Sequence, residues 1–179
     1  MMNKTIAIII TLLWWHVGVS QSSYGGNSIN HAKGIKTISL MYGGTKYSPF
    51  RYAKAEFGYF FQDNLVMRSG LNWDKGEVGQ TNYWDLKVNA GIGGSIYDIG
   101  NKFYINLYGG AQCGLERTFN RPYQQKDFHF VYGGFAAAEM EYFIGNFGIV
   151  GEFQEYLTLG SPFGNLHWSL SFGLKYNIY

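Results

Sequence analysis

Three histidines lie beyond residue 20 of this 179-residue chain: His31, His129 and His167. Histidine is the usual general base of acyl-transfer chemistry, and it needs a Ser or Cys nucleophile, an orienting carboxylate and an oxyanion donor around it. His129 and His167 both fall toward the same ends of neighbouring stretches, so an approach between them is conceivable. No Ser occupies a Gly-x-Ser-x-Gly elbow, and no Asp stands as an obvious orienter. Glu139 and Glu141 are two residues apart and could form an acid pair, but Arg68, Lys87 and Lys175 offer them ionic partners. The single Cys113 has no internal partner, and no CxxC or Cys/His spacing suggests a metal. The reading is of no catalytic, cofactor-binding or metal-ligating residue.

The charged residues instead share a spacing. Lys54 and Glu56, Asp85 and Lys87, Glu139 and Glu141 are each separated by one residue, with apolar residues between and beyond them. Arg68, Glu116, Glu152 and Lys175 sit in the same alternation. Only a strand, whose side chains alternate between faces, puts such charges on one side and the apolar residues on the other. The clearest case is Trp168–Ile178. Trp168, Leu170, Phe172, Leu174, Tyr176 and Ile178 alternate with Ser169, Ser171, Gly173, Lys175 and Asn177. That run exceeds a usual soluble strand and matches the roughly 9–11 tilted residues that cross a bilayer as a strand.

Seven more stretches alternate in the same way: Gly34–Gly43, Arg51–Phe61, Leu65–Asp74, Asn82–Tyr97, Lys102–Arg117, Asp127–Phe143 and Phe147–Leu159. The phase is ambiguous only at Gly133–Ala138. Asp63-Asn64, Asp98–Asn101 and Gly145-Asn146 have tight-turn chemistry. Thr45–Phe50, Lys75–Thr81, Thr118–Lys126 and Gly160–Asn165 read as longer loops, the longest being Thr118–Lys126. Its Arg121, Pro122 and Tyr123 make it the candidate partner loop. An even number of strands with short turns at one end and longer loops at the other is the pattern of an outer-membrane barrel.

Composition agrees. Tyr numbers 15, Phe 14 and Gly 25, charged residues are only 15%, and mean hydropathy is just −0.14. Strands with one oily and one polar face produce that average. A soluble β-sandwich or lipocalin-like barrel shares some of these features. Residues 1–20 read as a signal peptide: Lys4, the apolar Ile6–Val17, then Gly18-Val19-Ser20. Residues 21–32, polar and rich in Gly, Ser and Asn, read as a flexible N-terminal segment. Without Lys4 the +2 net charge approaches neutrality, and no basic stripe supports direct nucleic-acid binding.

The expected fold is therefore all-β: an eight-stranded antiparallel up-and-down transmembrane β-barrel spanning 33–179, preceded by a signal peptide and placed in the bacterial outer membrane among its lipids. Closure removes unpaired edges in hydrocarbon. An eight-stranded interior is just wide enough to be filled by side chains. Lys54, Glu56, Arg68, Asp85, Lys87, Glu116, Glu139, Glu141, Glu152 and Lys175 are expected to pair there as a polar plug. The ending Ser171-x-Gly173-x-x-Tyr176-x-Ile178, followed by Tyr179, resembles the terminal-strand pattern of outer-membrane barrels.

Two segments carry a further resemblance. Tyr132–Phe143, with its Gly133-Gly134 and Glu139-Met140-Glu141, and Gly160–Trp168 followed by Phe172–Tyr176 resemble the conjugative transposon protein TraO family of Bacteroidetes. Specific identity is confined to the last quarter to third of the chain. Members of that family often carry a Cys before the first strand, whereas Gln21–Ala32 has none. The resemblance implies a non-enzymatic component of a conjugative DNA-transfer apparatus, without catalytic residues to carry over, acting as anchor or assembly partner for other apparatus proteins. The alternative is an OmpX-like surface barrel whose loops bind external partners.

Overall fold

A computed structural model describes residues 30–120 and 125–179. Residues 1–29 lie outside it, and with them the expected signal peptide and most of the expected N-terminal segment. The strands are β1 (Lys36–Thr45), β2 (Ser48–Gln62), β3 (Leu65–Val78), β4 (Thr81–Ile99), β5 (Phe103–Asn120), β6 (Gln125–Ile144), β7 (Phe147–Leu159) and β8 (Leu166–Ile178). Each pairs antiparallel with the next, and β8 closes on β1 through rungs from Lys36↔Ile178 to Thr45↔Ser169. The chain is thus a closed eight-stranded barrel. The soluble-sandwich alternative fails on this closure, and on the outward row Leu40, Phe172 and Leu174, which packs against no second layer and stays 61–64% exposed.

The end of the barrel that holds Asn30 and the C-terminal Tyr179 is the turn end, where three tight reversals join the strands. Asn64, Asn101 and Gly145 adopt positive φ there, at 62°, 57° and 62°, a conformation that Asn and Gly tolerate best. The opposite, loop end departs from expectation. Strands absorb most of the anticipated loops, leaving Lys46-Tyr47, Gly79-Gln80 and residues 121–124 as connections. Gly160–Asn165 is consequently the longest connection, not Thr118–Lys126. Antiparallel rungs satisfy backbone groups that a loop would leave to water, so Thr118↔Asp127 through Asn120↔Gln125 continue the ladder. Arg121, Pro122 and Tyr123 lie outside the described residues.

Strand lengths differ, and the excess is local. The β6–β7 rungs stop at Tyr132↔Leu159, and the β2–β3 rungs stop at Tyr52↔Asp74. The β3–β4 rungs run on to Val78↔Thr81 and the β5–β6 rungs to Asn120↔Gln125. The outer ends of β3–β6 therefore rise past the rest as a four-stranded sheet.

The Gly133–Ala138 stretch keeps its phase. Phe135 points into the lumen, because it shares a row with Gly91 and Gly110 (Gly91↔Gly110↔Phe135). A Cβ on Gly110 would lie 2.2 Å from the Ala90 carbonyl oxygen and 2.8 Å from the Phe135 ring. Backbone and ring occupy the space that a side chain would need. Gly110→Val is expected to destabilise the refolded barrel by ~1–3 kcal/mol or more, read as a lower urea midpoint in micelles. Phe135→Ala in the same background should restore part of the loss.

Candidate functional site

All ten charged residues singled out from the sequence point into the lumen, and each is at most 8% exposed. They divide into two groups. The inner group draws on β2, β3, β6, β7 and β8. Arg68 sits at its centre. Its Nη2 lies 3.2 Å from Glu139 Oε2 and 3.1 Å from Glu152 Oε2, and it also pairs with Glu56. Its guanidinium carbon lies 3.8 Å from the centroid of the Tyr108 ring, a cation–π arrangement. Lys54 Nζ donates to Glu152 at 2.6 Å and Gln154 at 3.0 Å, and is 2.8 Å from Glu56. Lys175 Nζ is 2.8 Å from Glu139 and also pairs with Glu141.

Oxygens of Glu56, Glu139 and Glu152 lie within 4.8 Å of one another, a ligand-like trio. The Arg68 guanidinium pairs with all three, so a cation already occupies that position. A network of this kind contributes little net stability over an apolar core, because desolvation offsets the attraction. Its stronger effect is on register: a one-residue slip of any strand would turn these charges toward lipid.

The outer group is more acidic. Asp74, Asp85 and Glu116 occupy one row on β3, β4 and β5. Lys87 reaches Asp85 at 2.5 Å. Asp74 accepts from Thr45 at 2.9 Å and Tyr83 at 2.8 Å, and Glu116 accepts from Ser161 at 2.9 Å. These residues border a void of about 10 Å³, room for roughly one water. Tyr47 and Phe163 cap it, with Tyr47 Oη donating to the Phe163 carbonyl at 2.9 Å. A larger concavity, about 710 Å³, lies on the lipid-facing wall against Leu40, Trp73 and Phe172; its lining is mainly apolar, and the two lysines in it, Lys54 and Lys175, belong to the inner ion network.

The turn-end mouth is closed by the chain itself. Asn30 and His31 are buried, at 8% and 1% exposure. Flexibility, expected for all of 21–32, is therefore wrong for its last residues. His31 accepts a bond at its carbonyl from the Asn64 amide (2.8 Å), and its ring stacks on Tyr104 at 3.8 Å. Asn30 bonds Asn101, Asn177 and Tyr179. The polar surface and fixed positions of these mouth groups repay the ordering of two residues, and composition alone carries no sign of that.

His129 and His167, the two histidines that the sequence brought toward one end, bond to different groups. His129 Nε2 lies 3.4 Å from Thr118 Oγ1, and His167 Nε2 lies 2.8 Å from the Gly164 carbonyl. Their partners are a threonine hydroxyl and a backbone carbonyl. Cys113 is exposed on the lipid-facing side. The sequence reading left His31 and Asp74 out of the lumen network, along with the tyrosines Tyr52, Tyr83, Tyr104, Tyr108 and Tyr156, all buried. Inward phase is the signal that finds the tyrosines, each of which shares parity with a nearby inward polar residue of its own strand: Lys54, Asp85, Asn106 or Gln154.

No family model matches the chain, and no curated protein matches it. Solved structures do. Ail, the attachment invasion locus protein of Yersinia pestis, superposes with a TM-score of 0.55 at 12% identity, over 82% of this chain and 99% of Ail. Neisserial surface protein A gives 0.62 at 11%, over 80% and 96%. The N-terminal β-barrel domain of Pseudomonas aeruginosa OprF gives 0.56 at 16%, over 82% and 98%. Identities this low speak for the fold alone. The chain has the fold of the eight-stranded outer-membrane barrels.

Proposed function

We propose that this chain is a sealed, non-catalytic outer-membrane anchor that docks proteins of a conjugative DNA-transfer apparatus. The observation that carries the anchor reading is the closed lumen. The inner ion network spans it, the Tyr47–Phe163 cap covers the loop end, and His31 fills the turn end. A tube filled in this way passes neither DNA nor solutes, and holds position instead. The Tyr132–Phe143 and Gly160–Trp168 resemblance supplies the process. The turn end, where Asn30 and Tyr179 meet, faces the periplasm in this reading and meets the apparatus there.

A second reading has an observation of its own. Phe128 and His129 on β6 have β5 on one side and no β7 rung on the other, Gly160 approaching the strand only from the Phe130 carbonyl inward, and Phe128 and Phe130 are 63% and 61% exposed. A strand edge above the membrane is a template for β-strand addition, which suits an external protein partner.

Deleting the gene from its element and measuring mating tests the first reading: transfer frequency is expected to fall and to return with the wild-type chain. A photo-crosslinker at exposed Lys102, on the turn end, should capture a transfer protein, whereas one at Phe128 should not. Undiminished mating, with capture at Phe128 alone, would favour the surface-binding reading. In planar bilayers the reconstituted barrel is expected to give no resolved conductance steps; steady openings would overturn the sealed-lumen premise.

A further inference from the structure

The lipid-facing wall is uneven along β2. Its outward residues there are Arg51, Ala53, Ala55 and Phe57, whereas its neighbours present Leu40 and Tyr42 on β1 and Leu71 and Trp73 on β3. The rows Tyr42↔Ala53↔Trp73 and Leu40↔Ala55↔Leu71 set a methyl group between two large side chains twice in succession. The result is a trench within the concavity of about 710 Å³, which spreads across β1 to Phe172 and Leu174 of β8. Phe57 restores the bulk of the wall below Ala55. Arg51 to Phe57 covers about 20 Å of strand. At a tilt near 40° that is ~15 Å of depth, roughly one leaflet of the apolar band. An acyl chain has that length and that polarity.

Arg51 and Lys75 stand at the loop-end mouth of the trench. Each lies one residue beyond the Tyr52↔Asp74 rung and continues the outward phase of Ala53 and Trp73. Both are exposed, and among the described residues neither has an acidic partner within ion-pair distance. Glu77 stands two residues further out on β3. The backbone that carries Arg51 is fixed from the trench wall. Tyr42 Oη donates to the Phe50 carbonyl, and Phe50 is held at a φ of 58°, a left-handed conformation that is costly for an aromatic residue. Two cations at the headgroup level, with no counter-charge of their own, fit a phosphate. The other small-residue area of the wall, Ala90↔Ala111↔Gly134, lacks this feature: the outward cation of β5, Arg117, lies over the Phe128 ring at 5.1 Å.

We propose that the trench is a binding site for a phosphorylated, multiply acylated glycolipid of the lipid A class, with one acyl chain over Ala53 and Ala55 and a phosphate between Arg51 and Lys75. The guanidinium offers a planar fork to the phosphate oxygens and the ammonium a point charge. Lipid covers the whole wall, but the trench and its two cations give one lipid a fixed seat. The assignment to an outer-leaflet lipid rests on the proposed orientation of the loop end away from the periplasm.

The test uses the full mature chain refolded in micelles and read by native mass spectrometry, with bisphosphorylated lipid A, dephosphorylated lipid A or phosphatidylglycerol added. One bisphosphorylated lipid A is expected to stay on the barrel, preferred about twentyfold over its dephosphorylated form, each cation being worth about fivefold. Arg51→Ala with Lys75→Ala should remove that preference. Ala53→Leu with Ala55→Leu should abolish retention with both cations in place, and Arg117→Ala should leave it unchanged. Heat-modifiable gel mobility verifies that each variant barrel has closed. Equal retention of phosphatidylglycerol and lipid A, or retention that survives both double substitutions, would mean annular lipid only and overturn the site. A barrel dimer broken by Ala53→Leu with Ala55→Leu would give the trench to a second copy and overturn it as well. On intact cells a membrane-impermeant maleimide is expected to label Gln80→Cys in a Cys113→Ser background. Protection there would overturn the orientation and, with it, the outer-leaflet ligand. Neither measurement depends on mating, so failure of the apparatus reading is separate from failure of the site.

Discussion

Arg68→Ala is expected to cost the barrel about 3–5 kcal/mol, or to prevent refolding altogether. The guanidinium pairs with Glu56, Glu139 and Glu152 from three other strands. Removing it leaves three carboxylates, no more than 7% exposed, whose oxygens crowd within 4.8 Å. Coulomb repulsion and desolvation then act together, with Lys54 and Lys175 left to serve the group. The measurement is the urea midpoint of refolding in detergent micelles, followed by heat-modifiable mobility. Arg68→Lys should fall between the two, since a point ammonium cannot reproduce the planar fork. Adding Glu139→Gln and Glu152→Gln to Arg68→Ala should recover stability, because it removes the uncompensated charge rather than restoring a bond. Millimolar calcium should also stabilise Arg68→Ala selectively, as the vacated trio offers hard oxygen ligands. An Arg68→Ala barrel within ~1 kcal/mol of wild type would show that water reaches the network and that the lumen is not sealed.

Phe172→Arg is the second large effect. Phe172 lies midway between Trp168 and Tyr176 on the lipid-facing row of β8 and is 61% exposed. Leu166, at the loop end of the same row, is 62% exposed. In water the two positions would tolerate arginine alike. In a bilayer they differ: a charge at the midplane costs ~2–4 kcal/mol and one at the interface ~0–1. Refolding into lipid vesicles is therefore expected to be strongly impaired by Phe172→Arg and nearly unaffected by Leu166→Arg, with Phe172→Leu as the control for lost ring area. Equal, small losses at both sites would remove the claim that this row meets hydrocarbon.

How far the chain can be read without coordinates depends on the distance over which each property is encoded. The β7 bounds, Phe147–Leu159, and the direction in which Glu152, Gln154 and Thr158 point follow from consecutive residues. Strand ends at the loop side are less legible. Whether Thr118–Asn120 and Gln125–Lys126 continue a ladder or sit in a loop depends on β5 and β6 standing beside each other, and Thr118–Lys126 reads as polar loop by composition. Gly133–Ala138 is ambiguous for another reason. Its small residues carry no phase, and only the flat space over Gly91 and Gly110 shows which way Phe135 must turn.

The sequence by itself determined the number of strands, their antiparallel order and the face on which each charge lies. A period of two is a local property: it needs no knowledge of what stands opposite. The tertiary structure alone decided which charges meet. Arg68 and Glu152 are 84 residues apart, and His31 and Glu141 are 110 apart. Their encounter depends on the tilt and stagger at which β8 closes on β1. Closure is a condition on the whole sheet, so no segment carries it, and the partner of each lumen charge is settled only once the last rung forms.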